Sequence, residues 1–225
     1  MKFSVIVAAH NEGHQIVSSL KCLRQSSKTS PVEIIVVDGG SDDDTVASSR
    51  EWADETLCLE KPNRGAQWDA GARKATGNHL FFLRADVHPP GNWQQVLERF
   101  WLLNEDKKIS AAVFSVDYGR DLGLRALSAW SNARVRAGIL AADHGLCTTV
   151  DIYKAVGGYP PFAELEDFEL SRRLRARGRI VLLPELIHAA ARRLRARGPL
   201  TYALSRVWKE TRYKMGASPE SLFRQ

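Results

Sequence analysis

The strongest constraint on this chain is a rhythm in its first half, where short unbroken apolar runs alternate with helix-like stretches. "FSVIVAA" (3–9) leads into "EGHQIVSSLKCLRQ" (12–25), "VEIIVVD" (32–38) into "DDTVASSREWA" (43–53), and "ETLCLE" (55–60) into "RGAQWDAGARKA" (64–75); "HLFFLRAD" (79–86) follows. A strand that is apolar at nearly every position must be covered on both faces. Helices of about 10–15 residues between such strands supply the cover. The reading is a parallel sheet of βαβ units, a doubly wound α/β architecture.

The second half loses that regularity. "NWQQVLERFWLL" (92–103) and "LRALSAWSNARVRAGIL" (124–140) read as helices, and "ISAAVFSVDY" (109–118), "GLCTTVDIY" (145–153) and "GRIVLLPELIH" (178–188) read as strands. No Ser/Gly-rich linker divides the halves, so the expectation is one domain with a mixed sheet. Its 225 residues are enough for a full core.

Cys22, Cys58 and Cys147 are widely spaced and form no C-x-x-C, which argues against a disulfide framework or a zinc cluster and for inert thiols in a reducing compartment. No stretch approaches the roughly 20 apolar residues of a membrane span. The expected location is the cytoplasm, with contact at the inner membrane face left open. The formal net charge is +6, and from Ser171 onward fourteen Arg or Lys face three acids. An anionic partner is therefore expected: nucleic acid, acidic lipid or a phosphate-bearing substrate.

In an open α/β sheet, ligands bind beyond the carboxyl ends of the strands. Those ends carry "AHNEG" (9–13), "DGGSDDDT" (38–45) and "RADVHPPG" (84–91). Asp38 closes an apolar strand and could accept hydrogen bonds from a base or ribose, whereas Asp42, Asp43 and Asp44 are available to cap the next helix. In an extended segment Asp86 and His88 would share a face and could approach one divalent cation, Mn²⁺ for example, although His88 could equally be a loop histidine ahead of two prolines.

"RRLRARG" occurs twice, at 172–178 and 192–198. The first copy ends an amphipathic helix over 164–178. There Glu169 lies three and four residues before Arg172 and Arg173, the arginines complement the helix dipole, and Gly178 suits a C′ stop. Glu166 and Asp167 are left over near the N-terminus of that helix, where the dipole keeps a carboxylate ionised and usable as a base. The second copy follows a strand and has no local acid. It is either a solvated face or a clamp for phosphate or an anionic surface, in which Arg192 and Arg193 are the named candidates.

Taken in order, "SVIVAAHNE", "IIVVDGGSDDDT", "NRGAQWDAGARKATG", "FLRADVHPPG" and "GGYPPFAELEDFELSRRLRARG" resemble the motifs of family 2 glycosyltransferases with the GT-A fold. More narrowly, the chain looks like the small bacterial rSAM/selenodomain-associated subgroup. The resemblance covers nearly the whole chain. It implies a Rossmann-like nucleotide-sugar-binding half over 1–91, an acceptor and catalytic half with a mixed central sheet over 92–198, and a basic helical segment over 199–225. It also implies that Ala8, Ala9, His10, Glu12 and Asp38 hold a nucleoside-diphosphate sugar, with Arg64 and Gly65 at its base or ribose. Asp86 would be the metal acid of the family's D-x-D position and bind Mn²⁺ or Mg²⁺, and Asp167 would be the general base of an inverting transfer beside Glu166. Asp143 and His144 would lie near the acceptor, and the second arginine cluster would flank the diphosphate or the acceptor. Arg84 stands where the first Asp of D-x-D is usual, so either Asp86 and His88 hold the ion or Arg84 itself supplies charge toward the diphosphate.

Two other classes compete. A nucleic-acid-binding protein would use the basic C-terminal quarter, but no recognition motif is present, and "TYALSRVWKETRYKMG" (201–216) reads better as a packed terminal helix, so no nucleic acid is expected. A nucleotidyltransferase would want a Gly-rich phosphate loop after the first strand, and "AAHNEGH" is not one. A non-catalytic relative remains an alternative because of Arg84.

Overall fold

A computed structural model describes residues 1–26, 30–105 and 107–223. The first half follows the expected alternation: β1 (Phe3–Ala9), α1 (Gly13–Ser26), β2 (Val32–Asp38), α2 (Thr45–Arg50), β3 (Glu55–Cys58), α3 (Arg64–Lys74) and β4 (His79–Arg84). The chain then forms β5 (Val87–His88), α4 (Trp93–Leu102), β6 (Ile109–Asp117), α5 (Leu122–Arg136), a 3₁₀ turn (Ala142–His144), β7 (Leu146–Thr149), α6 (Val150–Ala155), α7 (Glu166–Arg175), β8 (Arg179–Ala189), α8 (Arg192–Arg197), α9 (Pro199–Lys214) and α10 (Pro219–Phe223).

Eight strands form one sheet in the order β3-β2-β1-β4-β7-β6-β8-β5. The β3-β2-β1-β4 part is wholly parallel. Beyond it β7 runs antiparallel to both β4 and β6, β8 is parallel to β6, and β5 is antiparallel to β8. This is the α/β, GT-A-like arrangement expected, with a mixed central sheet flanked by helices. Strand pairs in the parallel part have their ends level: Ala9 is opposite Asp38 and Ala8 is opposite Arg84. Because β1 lies between β2 and β4, the strand order reverses there, which opens a crevice beyond the ends of those strands.

Side-chain alternation along β1 divides the core. Phe3, Val5, Val7 and Ala9 join one apolar cluster, and Ile6 and Ala8 join the other, so the sheet buries both faces as its unbroken apolar strands require. Two fully buried indoles are satisfied as well: Trp68 Nε1 donates to Leu83 O at 3.1 Å and Trp93 Nε1 to Ser26 Oγ at 3.0 Å. Cys147 is buried beneath Trp101, and burial pushes its thiol up to about 12, in keeping with an inert role.

Three expectations need correction. The strand expected over 145–153 stops at Thr149, whose hydroxyl accepts from Ile152 N and caps α6, so Val150–Ala155 is helical. The segment after β4 is not extended: Ala85 and Asp86 form a turn before Val87, which removes the reason for placing Asp86 and His88 on one face. Gly178 is not a left-handed stop; a Cβ there would meet Lys108 O at 2.8 Å, so the close approach of two backbones requires the glycine.

Candidate functional site

Two chambers lie beyond the carboxyl ends of β1 and β4. The first, of about 220 Å³, is lined by Ala8, Ala9, His10, Glu12, Arg64, Gln67, Arg84, Ala85, Asp86 and Glu164, among others, and is called the β1 chamber here. The second, of about 320 Å³, is walled by α8 and α9 through Leu194, Arg197, Tyr202, Ser205, Arg206 and Lys209. Arg64, Arg84 and Glu164 line both, so the chambers meet at two guanidinium groups.

The β1 chamber is built by cross-linking strand ends. Gln67 Nε2 donates at 2.8 Å to both Ala9 O and Val37 O, tying β1 to β2. Asp43 joins two helix starts, accepting from Gly13 N at 3.0 Å and from Thr45 N at 3.0 Å, while Asp44 makes no side-chain cap. Asp38 differs from expectation. Its carboxylate accepts from Gly40 N at 2.9 Å, Ser41 N at 2.8 Å and the Ser41 hydroxyl, and it is almost fully buried. Three of its roughly four acceptor sites are used by its own turn, and it does not line the chamber. His10 does, and its Nδ1 is buried with no hydrogen-bond partner. Gly65 contributes through the backbone: its N–H donates to Phe162 O at 3.1 Å and clamps the start of α3 to the 160–162 loop.

Arg84 is the hub. Its two terminal nitrogens donate at 2.6 Å to Asp86 Oδ2 and at 2.6 Å to Asp143 Oδ1, and Tyr118 OH donates to Asp143 Oδ2 at 2.8 Å. Burial works against the charge on Arg84, but Asp143 and Asp86 overcome that cost and hold its pKa above the ordinary guanidinium range. Burial likewise pushes the Asp143 carboxyl up, and Arg84 with the Tyr118 hydroxyl more than reverses it, leaving the group below its usual range.

The second hub is the start of α7. Leu165, immediately before it, adopts a left-handed backbone (φ 61°) while buried, a conformation costly for leucine. Glu166 and Asp167 follow that kink; both are buried and neither lines a chamber, although their partners Arg64 and Arg206 do. Glu166 accepts from Arg64 through Oε1, while its buried Oε2 has no hydrogen-bond partner among the described residues; burial raises its carboxyl pKa, with Arg64 opposing the rise and Asp167 adding to it. Asp167 accepts from Ala142 N at 3.0 Å, Phe168 N at 2.7 Å and the Arg206 guanidinium. Arg206 thereby covers Asp167 from the chamber side, and Glu210 holds Arg206 at 2.9 Å.

Other expected residues fall elsewhere. His144 is fully buried, with Nδ1 2.8 Å from Phe114 O and Nε2 2.8 Å from Ser131 Oγ, so both ring nitrogens serve the core and neither faces a chamber. His88 pairs in register with His188 on β8, and burial lowers its pKa. Arg192 lies 3.8 Å from Glu12, a partner distant in sequence; the side chain of Arg193 lies outside the described residues. Of the second arginine cluster it is Arg197 that lines a chamber. The first copy is engaged as expected: Arg172 and Arg173 both bond Glu169 at 2.8 Å. Tyr202, Ser205, Arg206 and Lys209 went unmarked in the sequence, although their i, i+3, i+4, i+7 spacing is the signature of a polar stripe on one helix face.

Asp86 Oδ2 is engaged by Arg84, and among the described residues no group of three or more His, Cys, Asp or Glu could hold a divalent cation by itself.

The model of glycosyl transferase family 2 matches residues 4–145, well over half of the chain and the whole of the β1 chamber's strand framework. The chain belongs to glycosyl transferase family 2. An uncharacterized glycosyltransferase of Bacillus subtilis (strain 168), YfnE, is 35% identical over 92 residues, which cover 39% of this family 2 chain and 24% of YfnE. The chain thus spans about a quarter of that relative's length. Among solved structures, S. aureus TarS 1–349 superposes with a TM-score of 0.63 at 18% identity, covering 99% of this chain and 68% of that one. Its complex with UDP-GlcNAc gives 0.65 at 19% identity, over 85% and 59% of the two chains. The mannosyltransferase PcManGT of Pyrobaculum calidifontis, in complex with GDP-Man and Mn²⁺, gives 0.67 at 18% identity, over 99% and 66%. At these identities the likeness is one of fold.

Proposed function

We propose that this family 2 chain is a nucleotide-sugar-dependent glycosyltransferase working by a single inverting displacement, with residues 1–91 holding the donor, 92–198 the acceptor and catalytic groups, and 199–225 forming a basic helical segment. The observation that carries the reading is the meeting of two chambers at Arg64 and Arg84: one built on the strand ends of the nucleotide half, the other walled by α8 and α9. A donor diphosphate in the β1 chamber would present its sugar at that junction, and an acceptor hydroxyl would arrive from the α9 chamber. The solved neighbours bound to UDP-GlcNAc, UDP and GDP-Man support the donor class. The narrower rSAM/selenodomain-associated placement rests on the sequence resemblance.

In this reading Asp167 removes the acceptor proton, the oxygen attacks the anomeric carbon from the face opposite the diphosphate, and arginines stabilise the charge that develops on the leaving group. Asp167 must first shed a donor. Arg206 is the one side-chain donor on it among the described residues, and a swing of that guanidinium toward the diphosphate would free the base and bring a cation to the leaving group together. Arg64, Arg84 and Arg197 are the other cations at hand, each lining a chamber. PcManGT holds Mn²⁺, but here Asp86 is engaged by Arg84, so the charge is assigned to the arginines and no step is routed through a metal. The location that accompanies this reading is the cytoplasm, where nucleotide sugars are the donors.

One observation favours a second base. Among the described residues one Glu166 oxygen has no hydrogen-bond partner, and burial raises its carboxyl pKa, which favours proton uptake, whereas the Asp167 carboxylate already accepts from three donors. Asp167→Asn is expected to lose about 10²–10⁴-fold in transfer with nucleotide binding retained. Near-normal turnover in that variant, with loss in Glu166→Gln, would move the role to Glu166. Calorimetry against a panel of nucleoside diphosphates, with and without Mn²⁺, identifies the donor base; failure to bind any of them would remove the reading.

A further inference from the structure

The C-terminal helices have a second face, turned away from the chambers. Opposite the polar stripe of α9, Leu200, Leu204 and Val207 recur at i, i+4 and i+7. With Pro199 and Ala203 they line an open apolar groove of about 350 Å³, whose other wall is Gly123, Ala126, Leu127 and Trp130 of α5. Leu200 is 73% exposed, Leu204 62%, and Leu122 at the start of α5 83%. Leu122 directly precedes Gly123 of the groove wall. A Cβ on Gly123 would lie 3.3 Å from Pro199 Cγ, and Arg195 reaches Asp121 at 3.2 Å.

The charge along the elements of this apolar strip is mainly positive. Residues 118–136 and 186–210 together contain ten Arg or Lys and two acids, Asp121 and Glu210, and Glu210 is buried between Arg134 and Arg206. Arg134, Arg206 and Lys209 turn inward to carboxylates, whereas Arg120, Arg125 and Arg195 are exposed. Trp208, about half exposed, sits beside the strip with Arg212 over its ring at 5.7 Å.

We propose that the α5–α9 face docks on an anionic phospholipid surface, with Leu122, Leu200, Leu204 and Val207 entering the headgroup boundary and the exposed arginines pairing with lipid phosphates. Apolar side chains in the middle, long basic side chains around them and a tryptophan at the margin are what an interfacial helix pair requires. The rim also selects against the alternatives. A second copy meeting this face about a two-fold axis would set the arginines against each other, and nucleic acid would leave the leucines without an apolar partner. Since α8 and α9 also wall the second chamber, docking would bring that chamber close to the bilayer. The proposal stands apart from the sugar-transfer reading, because it uses the opposite face of α9 and a binding assay without nucleotide.

The test is co-sedimentation of the full chain with phosphatidylglycerol-containing vesicles and with pure phosphatidylcholine vesicles, at low and raised salt. Expected are binding to the anionic vesicles, at least tenfold weaker binding to the neutral ones, and weakening by salt. Leu200→Ser with Leu204→Ser should lower partitioning at least tenfold with an unchanged thermal melt, and Arg125→Gln with Arg195→Gln should weaken it several-fold through charge alone. The proposal is overturned by absence of binding at low salt, by equal binding to both vesicle types, or by indifference to both double variants. It is also overturned if sedimentation velocity finds a dimer that the leucine variant converts to monomer, which would hand the surface to a second copy.

Discussion

Gly65→Ala tests how the nucleotide half is joined to the 160–162 loop. Helix propensity alone favours the change: glycine within a helix costs up to about 1 kcal/mol relative to alanine. Tertiary packing reverses the sign. A Cβ at Gly65 would stand 2.0 Å from Pro160 O, 2.9 Å from Phe162 O and 3.0 Å from Phe162 N, all backbone atoms that cannot rotate away. Relief requires the loop and the start of α3 to separate by roughly 1 Å, which costs about 1–3 kcal/mol as overpacking. The separation also stretches the Gly65 N–H to Phe162 O bond, worth about 0.5–1.5 kcal/mol. The net expectation is a loss of about 1–3 kcal/mol, or a melting point lower by roughly 3–10 °C for a chain of this size. The shift should also reach the β1 chamber, since Arg64 and Glu164 flank the clamp, and should weaken nucleoside diphosphate binding in calorimetry. Gly91→Ala is the control: nothing lies within 4 Å of its Cβ position, so stability should stay within about 0.5 kcal/mol. A Gly65→Ala protein as stable as the parent and binding nucleotide equally well would refute the reasoning.

Arg206→Gln leaves Asp167 buried without its cation, while Glu210 keeps Arg134, so urea denaturation should show a loss of about 3–5 kcal/mol, and parental stability would mean the pair is not buried as described. Stability should fall on acidification between pH 6.5 and about 4, because burial lowers His79 from 6.5 to about 4: the unfolded chain takes up a proton in that window and the folded one does not. His79→Phe should flatten that part of the profile in pH-dependent denaturation. The two copies of "RRLRARG" should separate in effect. Arg197→Gln is expected to lower transfer with an unchanged melt, whereas Arg172→Gln with Arg173→Gln should cost at most about 1–2 kcal/mol of stability and leave transfer intact.

The sequence by itself determined the parallel half of the sheet, because unbroken apolar strands such as Val32–Asp38 and the helices between them are local signals that any two-sided burial must honour. It also pointed to the strand ends near Ala9 and Arg84, where the β1 chamber opens, since a crevice in an open α/β sheet follows from strand direction and order. The Glu169 pairs of the first arginine cluster were legible for the same reason: three- and four-residue spacings on a helix are local geometry.

Tertiary structure decided the rest, which depends on groups far apart in the chain. Asp38 and His144 looked available as isolated polar residues, yet one is held by its own turn and the other by Phe114 and Ser131. Asp86 was placed with His88 on the assumption of an extended segment, and a turn at Ala85–Asp86 aims its carboxylate at Arg84 instead. Arg206 reaches Asp167 across 39 residues and Arg64 reaches Glu166 across 102. No periodicity records such pairs. They exist because α3, α7 and α9 pack around one crevice, where a buried carboxylate is tolerated only beside a cation that the fold brings to it.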